Sequence, residues 1–171
     1  MLNMPDIRTD EEAYKFVMQK LLEQNERSTE EGGDCQYRGY KSETILDLRT
    51  KAGMLYNEDE EDNTEFHEEL LKLLAATPYN AKCAAGFLID DNVYSYHLEG
   101  QTVQYENTVH EYIQKSNPLW NMNENSVAMV ERLQQIHDSD SIDDWESSLE
   151  KVGYMFNTLG AFVPFVSGEC S

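Results

Sequence analysis

Between Lys82 and Asp90 the chain reads Cys83-Ala84-Ala85-Gly86-Phe87-Leu88-Ile89, the one place where cysteine, small and apolar residues run together without a charge. It is bounded by Tyr79-Asn80 before and Asp90-Asp91-Asn92 after, so the run is either a fully buried strand or a buried helical turn. Either way it belongs in the core, and the rest of the chain has to be arranged around it.

The composition limits what such a core can serve. Thirteen Lys and Arg against thirty-three Asp and Glu leave a formal charge of −20 on 171 residues. That surface repels phosphates and anionic lipid heads, which argues against direct nucleic-acid or membrane binding, and it attracts basic protein surfaces. Ten Tyr, six Phe and two Trp set the chain apart from aromatic-poor acidic sequences that stay unfolded. The length suffices for one domain, 1–171, with a core that needs no disulfide staples. Cys35, Cys83 and Cys170 do not make a secreted disulfide framework. The start Met1-Leu2-Asn3-Met4 lacks the character of a signal peptide, and no run approaches the roughly 20 apolar residues that span a bilayer. The expectation is a reduced, cytoplasmic protein.

Taken in order, Thr9 and Glu12 form a capping-box signature ahead of a helix over 10–27, with Ala13, Phe16, Val17 and Leu21 on one face and Tyr14, Met18 and Leu22 beside them. Asp34–Gly39 alternates and closes on glycine, as a short strand does. A short helix follows around Ile45–Leu55, then the acid run Asn57–Asn63. A second helix, Thr64–Ala76, carries Phe66, Leu70, Leu73 and Leu74 inward and closes at Pro78. Further helices are expected over 103–115, from a cap at Asn125 or Ser126 through Ile136, and from Ser141 with Asp144 through Phe156. The tail 160–171 reads as either an extended strap or a loose end.

Three blocks recur in a known order: Gly33-Asp34-Cys35-Gln36-Tyr37-Arg38-Gly39, then Lys82–Asp91 with Tyr94 and Glu99-Gly100, then Leu133-Gln134-Gln135-Ile136-His137-Asp138 with Trp145 beyond. The chain thereby resembles a family of small, uncharacterised bacteriophage and prophage proteins. Its members carry G-x-C-x-Y-R, K-C-A-x-G-x-L-I-x-D, E-G and L-Q-x-I-H-D. The resemblance implies a viral origin and a bacterial host cytoplasm, and names no activity. In that family the first two blocks look nearly adjacent, like a hairpin; here 40–81 intervenes, which makes that segment an insertion bearing the acid run.

Several residues could carry chemistry. Cys35 and Cys83 facing each other near His137 would make a thiol–imidazole site, although free cysteine is more often a small buried hydrophobe. Two Cys and one His do not complete a zinc site, so neither metal nor cofactor is expected. Arg38 could clamp a phosphate or carboxylate bidentately, or pair structurally with Asp34, Asp90 or Asp138. Adjacent residues do not face one another on a helix, so His137 reads as a helix-ending histidine set against the dipole, not as a base oriented by Asp138. The acid run can be a plain solvated face, or a row of carboxylates imitating the phosphates of a duplex.

These readings converge on a mainly helical α+β fold: five or six helices around a small antiparallel hairpin formed by Cys35–Arg38 and Cys83–Ile89. The expected function is that of an acidic, non-enzymatic interaction or inhibitor protein. It binds a basic, nucleic-acid-binding host protein through Glu58, Asp59, Glu60, Glu61, Asp62, Glu65, Glu68 and Glu69. One alternative is a nucleotide-like ligand pocket or enzyme using Cys35, Tyr37, Arg38, Cys83 and His137; another is a phage accessory or virion-assembly protein. The sequence assigns no oligomeric state.

Overall fold

The computed structural model describes residues 4–29, 36–53, 58–59 and 62–158. Among them are six α-helices and one two-stranded antiparallel ribbon, a mainly helical α+β fold. The helices are α1 (Asp10–Gln24), α2 (Ser42–Ala52), α3 (Thr64–Ala76), α4 (Thr108–Ser116), α5 (Glu124–Ser139) and α6 (Trp145–Thr158). The ribbon pairs β1 (Arg38–Gly39) with β2 (Ala81–Lys82), placing Arg38 opposite Lys82 and Gly39 opposite Ala81.

Helix ends follow the polar residues available to them. Thr9 accepts the Glu12 N–H (3.2 Å), while the Glu12 carboxylate reaches back to the Arg8 N–H (2.6 Å), one residue beyond a standard capping box. α1 stops at Gln24 rather than Arg27 because Asn25 turns left-handed, with φ 49°. α5 is capped by Asn123, not by Asn125 or Ser126. Ser126 instead supplies the reciprocal bond of the capping box. α4 starts at Thr108, five residues later than its periodicity suggests, since Asn107 takes the His110 N–H and Glu106 has a left-handed φ of 61°. Ser141 makes no side-chain cap; it leads into a short 3-10 turn, and α6 begins at Trp145.

The main core lies where α5 and α6 pack on α1, around Tyr14, Val17, Leu21, Met129, Leu133, Trp145 and Leu149. Two ties show that α1 and α5 run side by side in one direction. At their starts the buried Asp10 carboxylate accepts from Trp120 Nε1 (2.8 Å) and Ser126 Oγ (2.6 Å). At their ends Arg27 donates to the carbonyls of His137 (2.9 Å) and Asp140, closing the C-terminus of α5 with a cation where the dipole is negative. α2 and α3 pack on each other over a separate cluster of Leu48, Ala52, Phe66 and Leu70, with Leu73 and Leu74 partly buried.

The run 83–89 is buried as its composition requires, but it is not a strand. β2 ends at Lys82, and the chain then coils: Phe87 N–H bonds the Cys83 carbonyl (3.1 Å), Leu88 N–H that of Ala85 (3.0 Å), and Ile89 N–H that of Gly86 (3.2 Å). Ile89 is its only β-branched residue, and Ala-Ala-Gly is poor strand sequence but ideal for close backbone approach. Two of the remaining N–H groups are met by Gln134 Oε1 on Ala85 (3.0 Å) and Cys83 Sγ on Gly86 (3.4 Å). The expected hairpin of Cys35–Arg38 with Cys83–Ile89 is therefore corrected to the shorter ribbon of 38–39 with 81–82. Cys35, Glu60, Glu61 and the tail 160–171 lie outside the described residues.

The turn fixes one testable position. A Cβ on Gly86 would stand 1.9 Å from the Tyr37 carbonyl oxygen, a backbone atom that cannot swing aside. Gly86→Ala is expected to cost about 3 kcal/mol or more, or to prevent folding. Chemical denaturation reads this directly, and an unchanged midpoint would contradict the packing described.

Candidate functional site

Tyr37-Arg38 and Tyr94 are held together by Glu99. Its half-buried carboxylate accepts the Tyr37 N–H (2.9 Å) and the Tyr94 phenol (2.6 Å), and more weakly the Arg38 N–H (3.2 Å). Gly100 follows with φ 77°, a conformation that favours glycine. Gln24 extends the ribbon from the other side: its amide oxygen takes the Lys82 N–H (2.9 Å) and its Nε2 donates to the Lys82 carbonyl (2.9 Å), imitating a neighbouring strand.

Two clefts flank this clamp. The first, of about 250 Å³, has an apolar floor of Tyr37, Cys83 and Val103. One wall is a stripe of α5 at helical spacing: Glu131, Gln134, Gln135 and Asp138. The loop residues Gly100, Gln101 and Thr102, with Gln36, complete the lining. The second cleft, of about 230 Å³, is lined by Gln24, Arg38, Tyr79–Lys82, Phe87 and Asp91.

The structure separates the residues that sequence suggests for one ligand pocket. Tyr37 and Cys83 line the first cleft and Arg38 the second, since neighbouring residues of an extended strand point to opposite sides. His137 lines neither. It is fully buried, its ring lies 5.4 Å from that of Trp145, and its Nε2 accepts the Ser28 N–H (3.2 Å). That bond requires a lone pair on Nε2, which puts the ring proton on Nδ1, 2.8 Å from Asp138 Oδ1. The expectation that Asp138 cannot meet its neighbour is thus corrected. Gln134 Nε2, one turn earlier, holds the same carboxylate oxygen (2.7 Å). The cation at the end of α5 is Arg27, not His137.

Arg38 takes the structural role, with a partner that sequence did not single out. Its guanidinium lies between the rings of Tyr79 (4.9 Å) and Tyr94 (5.1 Å), and its Nε is 3.8 Å from Asp91, which also binds Lys82 (2.9 Å). Of the acids first considered, Asp90 is turned to the Asn92 N–H (2.7 Å), Asp138 to His137, and Asp34 lies outside the described residues. Glu99, Asp91, Tyr79 and Glu131 escape a reading by spacing; only the Glu99-Gly100 pair leaves a local trace, as a turn.

The described part of the acid run is open. Glu58, Asp59, Asp62, Glu65 and Glu68 are exposed and Glu69 is half-buried on the outer side of α3. No described lysine or arginine makes an ion pair with Glu58, Asp62, Glu65, Glu68 or Glu69. Among the described residues no group of three or more His, Cys, Asp or Glu is placed to hold a metal, and no helix is long and apolar enough to cross a membrane. No protein-family model, curated protein or solved structure matches the chain.

Three tyrosines around the core and the clamp tie stability to pH. Burial raises the phenol of Tyr37, helped by the charges of Cys83, Glu99 and Asp138. Burial also raises Tyr94, together with its bond to Glu99, and Tyr14, whose hydroxyl donates to the Leu149 carbonyl (2.8 Å). A phenol raised in the folded state keeps its proton after the unfolded chain has lost its own. Stability is therefore complete below pH 10, the ordinary tyrosine value, and falls as pH rises beyond it. Equilibrium unfolding at pH 8 and pH 11 should show that fall, less steep in Tyr94→Phe; a flat profile would contradict it. Glu99→Ala, which strands the donors it now accepts, should cost about 2–4 kcal/mol by denaturation at pH 7. A loss below 0.5 kcal/mol, the ordinary scatter of about that size for surface changes, would show that the clamp holds nothing.

Proposed function

We propose that this chain is an acidic interaction protein, of viral origin as its blocks imply, that docks on a basic surface of a host protein in the host cytoplasm and inhibits it. The observation that carries the reading is the excess of acid: a formal charge of −20, with Glu58, Asp62, Glu65 and Glu68 exposed and in no ion pair with a described lysine or arginine. Such a face raises the encounter rate with a positively charged groove and rejects other acidic proteins. A groove built for a nucleic-acid backbone has the matching charge, so the favoured partner is a nucleic-acid-binding protein, engaged by imitation of phosphate rows.

A nucleotide-like ligand has less support. No described lysine or arginine lines the first cleft, and in the second Arg38 and Lys82 share Asp91. Phosphate binding calls for cationic forks that are open to the ligand.

The test is capture of partners from bacterial lysate on the immobilised full chain, with Glu58→Gln/Glu68→Gln/Glu69→Gln alongside. These three lie outside the first turn of α3, so their loss does not weaken its N-terminal dipole. The expected result is a basic protein retained at low salt, released as the Debye length shrinks from about 10 Å at 0.1 M to about 3 Å at 1 M, and displaced by duplex DNA. The triple variant should retain several-fold less. Partners held equally at high salt and by the triple variant would overturn the reading.

A further inference from the structure

The first cleft has a chemistry of its own that the acid run does not explain. Its wall on α5 repeats an acid and amide pattern, Glu131, Gln134, Gln135 and Asp138, facing the loop at Gln101. The exposed Glu131 side chain makes no hydrogen bond or ion pair with a described residue, so one carboxylate at the rim stands ready for a donor. At the same rim Arg132 Nη1 donates to Gln135 Oε1 (2.9 Å), yet Arg132 does not line the cleft. Its volume, about 250 Å³, falls just below the usual range of drug-sized pockets, about 300–1,000 Å³, and suits one long side chain with an apolar stem and a polar tip.

The geometry points to this cleft as the receptor for a single arginine side chain of the basic partner, an inference that rests on the docking function proposed above. The stem would lie on Tyr37, Cys83 and Val103, and the guanidinium would reach the Glu131 carboxylate, with the charge of Asp138 and the amide oxygens of Gln134 and Gln135, which already hold His137, Ala85 and Arg132 between them, supporting it along the wall. Arginine fits better than lysine. Its planar fork offers five N–H donors to several fixed acceptors and is more weakly hydrated than an ammonium group, so it gives up less on entering a partly apolar cleft. The charge of the whole chain favours the same sign of ligand.

The experiment is a titration of the full, isotope-labelled chain with N-acetyl-arginine amide, followed by the backbone amide signals. Gly100, Gln101 and Gln134 should shift saturably. N-acetyl-lysine amide should bind several-fold more weakly, and Glu131→Gln should weaken the arginine probe about tenfold while leaving the melting temperature unchanged. Glu68→Gln, on the acid face and outside the lining of the cleft, should leave the affinity unchanged. Shifts spread over the acid surface, or equal losses in Glu131→Gln and Glu68→Gln, would overturn the site. Tighter binding of free, zwitterionic arginine than of the blocked probe would overturn its assignment to a protein side chain. The lysate capture separates this inference from its parent: a salt-sensitive partner held equally by wild type and Glu131→Gln leaves the docking reading standing and removes the cleft from it. Saturable probe binding with no basic partner captured removes the docking function and, with it, the partner's arginine as occupant.

Discussion

The carboxylate of Glu99 is the interaction on which the rest of the molecule depends. In a chain of net charge −20 every inward carboxylate is resisted by its own kind, so a half-buried one persists only where donors converge on it. Here the backbone of Tyr37 and Arg38 and the phenol of Tyr94 converge. That bond set fixes the backbone of 37–38, which seats the Tyr37 carbonyl over Gly86 and shapes both clefts. The buried Asp10 repeats the solution at the start of α5, accepting from Trp120 and Ser126. The inward acids are structural; of the outward ones some pair with neighbouring lysines, whereas Glu58, Asp62, Glu65 and Glu68 have no described cation beside them.

This division gives the segment 40–80 a distinct physical character. α2 and α3 lean on a small cluster of Leu48, Ala52, Phe66 and Leu70, and the segment reaches the rest of the fold through polar ties such as the paired backbone bonds of Tyr40 with Thr29 (both 2.9 Å) and Ser42 N–H to Glu26 (3.1 Å). The acid face is mounted on this pair, while the arginine-sized cleft is built into the main core. A basic surface engaging both would meet long-range attraction first and a single anchored side chain second, a pairing that yields fast encounter together with specificity.

Much of the fold was legible where one local signal decided it. α3 runs from Thr64 to Ala76 as its apolar spacing and Pro78 dictate, and Thr9 starts α1. The 83–89 run was legible as core but not as a turn, because a short apolar stretch has the same pattern in either conformation and its Ala-Ala-Gly signal is subtle. The start of α5 is harder to read because Ser126 looks like a cap locally, whereas it is the capping-box partner of Asn123 and also bonds Asp10, distant in sequence. Of the candidate ligand residues, Tyr37 and Cys83 do line a cleft. The partners of Arg38 and His137, namely Asp91, Tyr79, Tyr94 and Ser28, come from tertiary packing that spacing alone does not encode.

If the outward acids serve a partner and not the fold, they must cost the isolated chain stability. Unfolding of the wild type and of Glu58→Gln/Glu68→Gln/Glu69→Gln, compared at low and at high salt, measures this most directly. The account predicts that the variant is the more stable at low salt and that the difference disappears as salt screens the self-repulsion. A variant less stable than the wild type at low salt would show that these carboxylates hold the structure together, and would contradict the account.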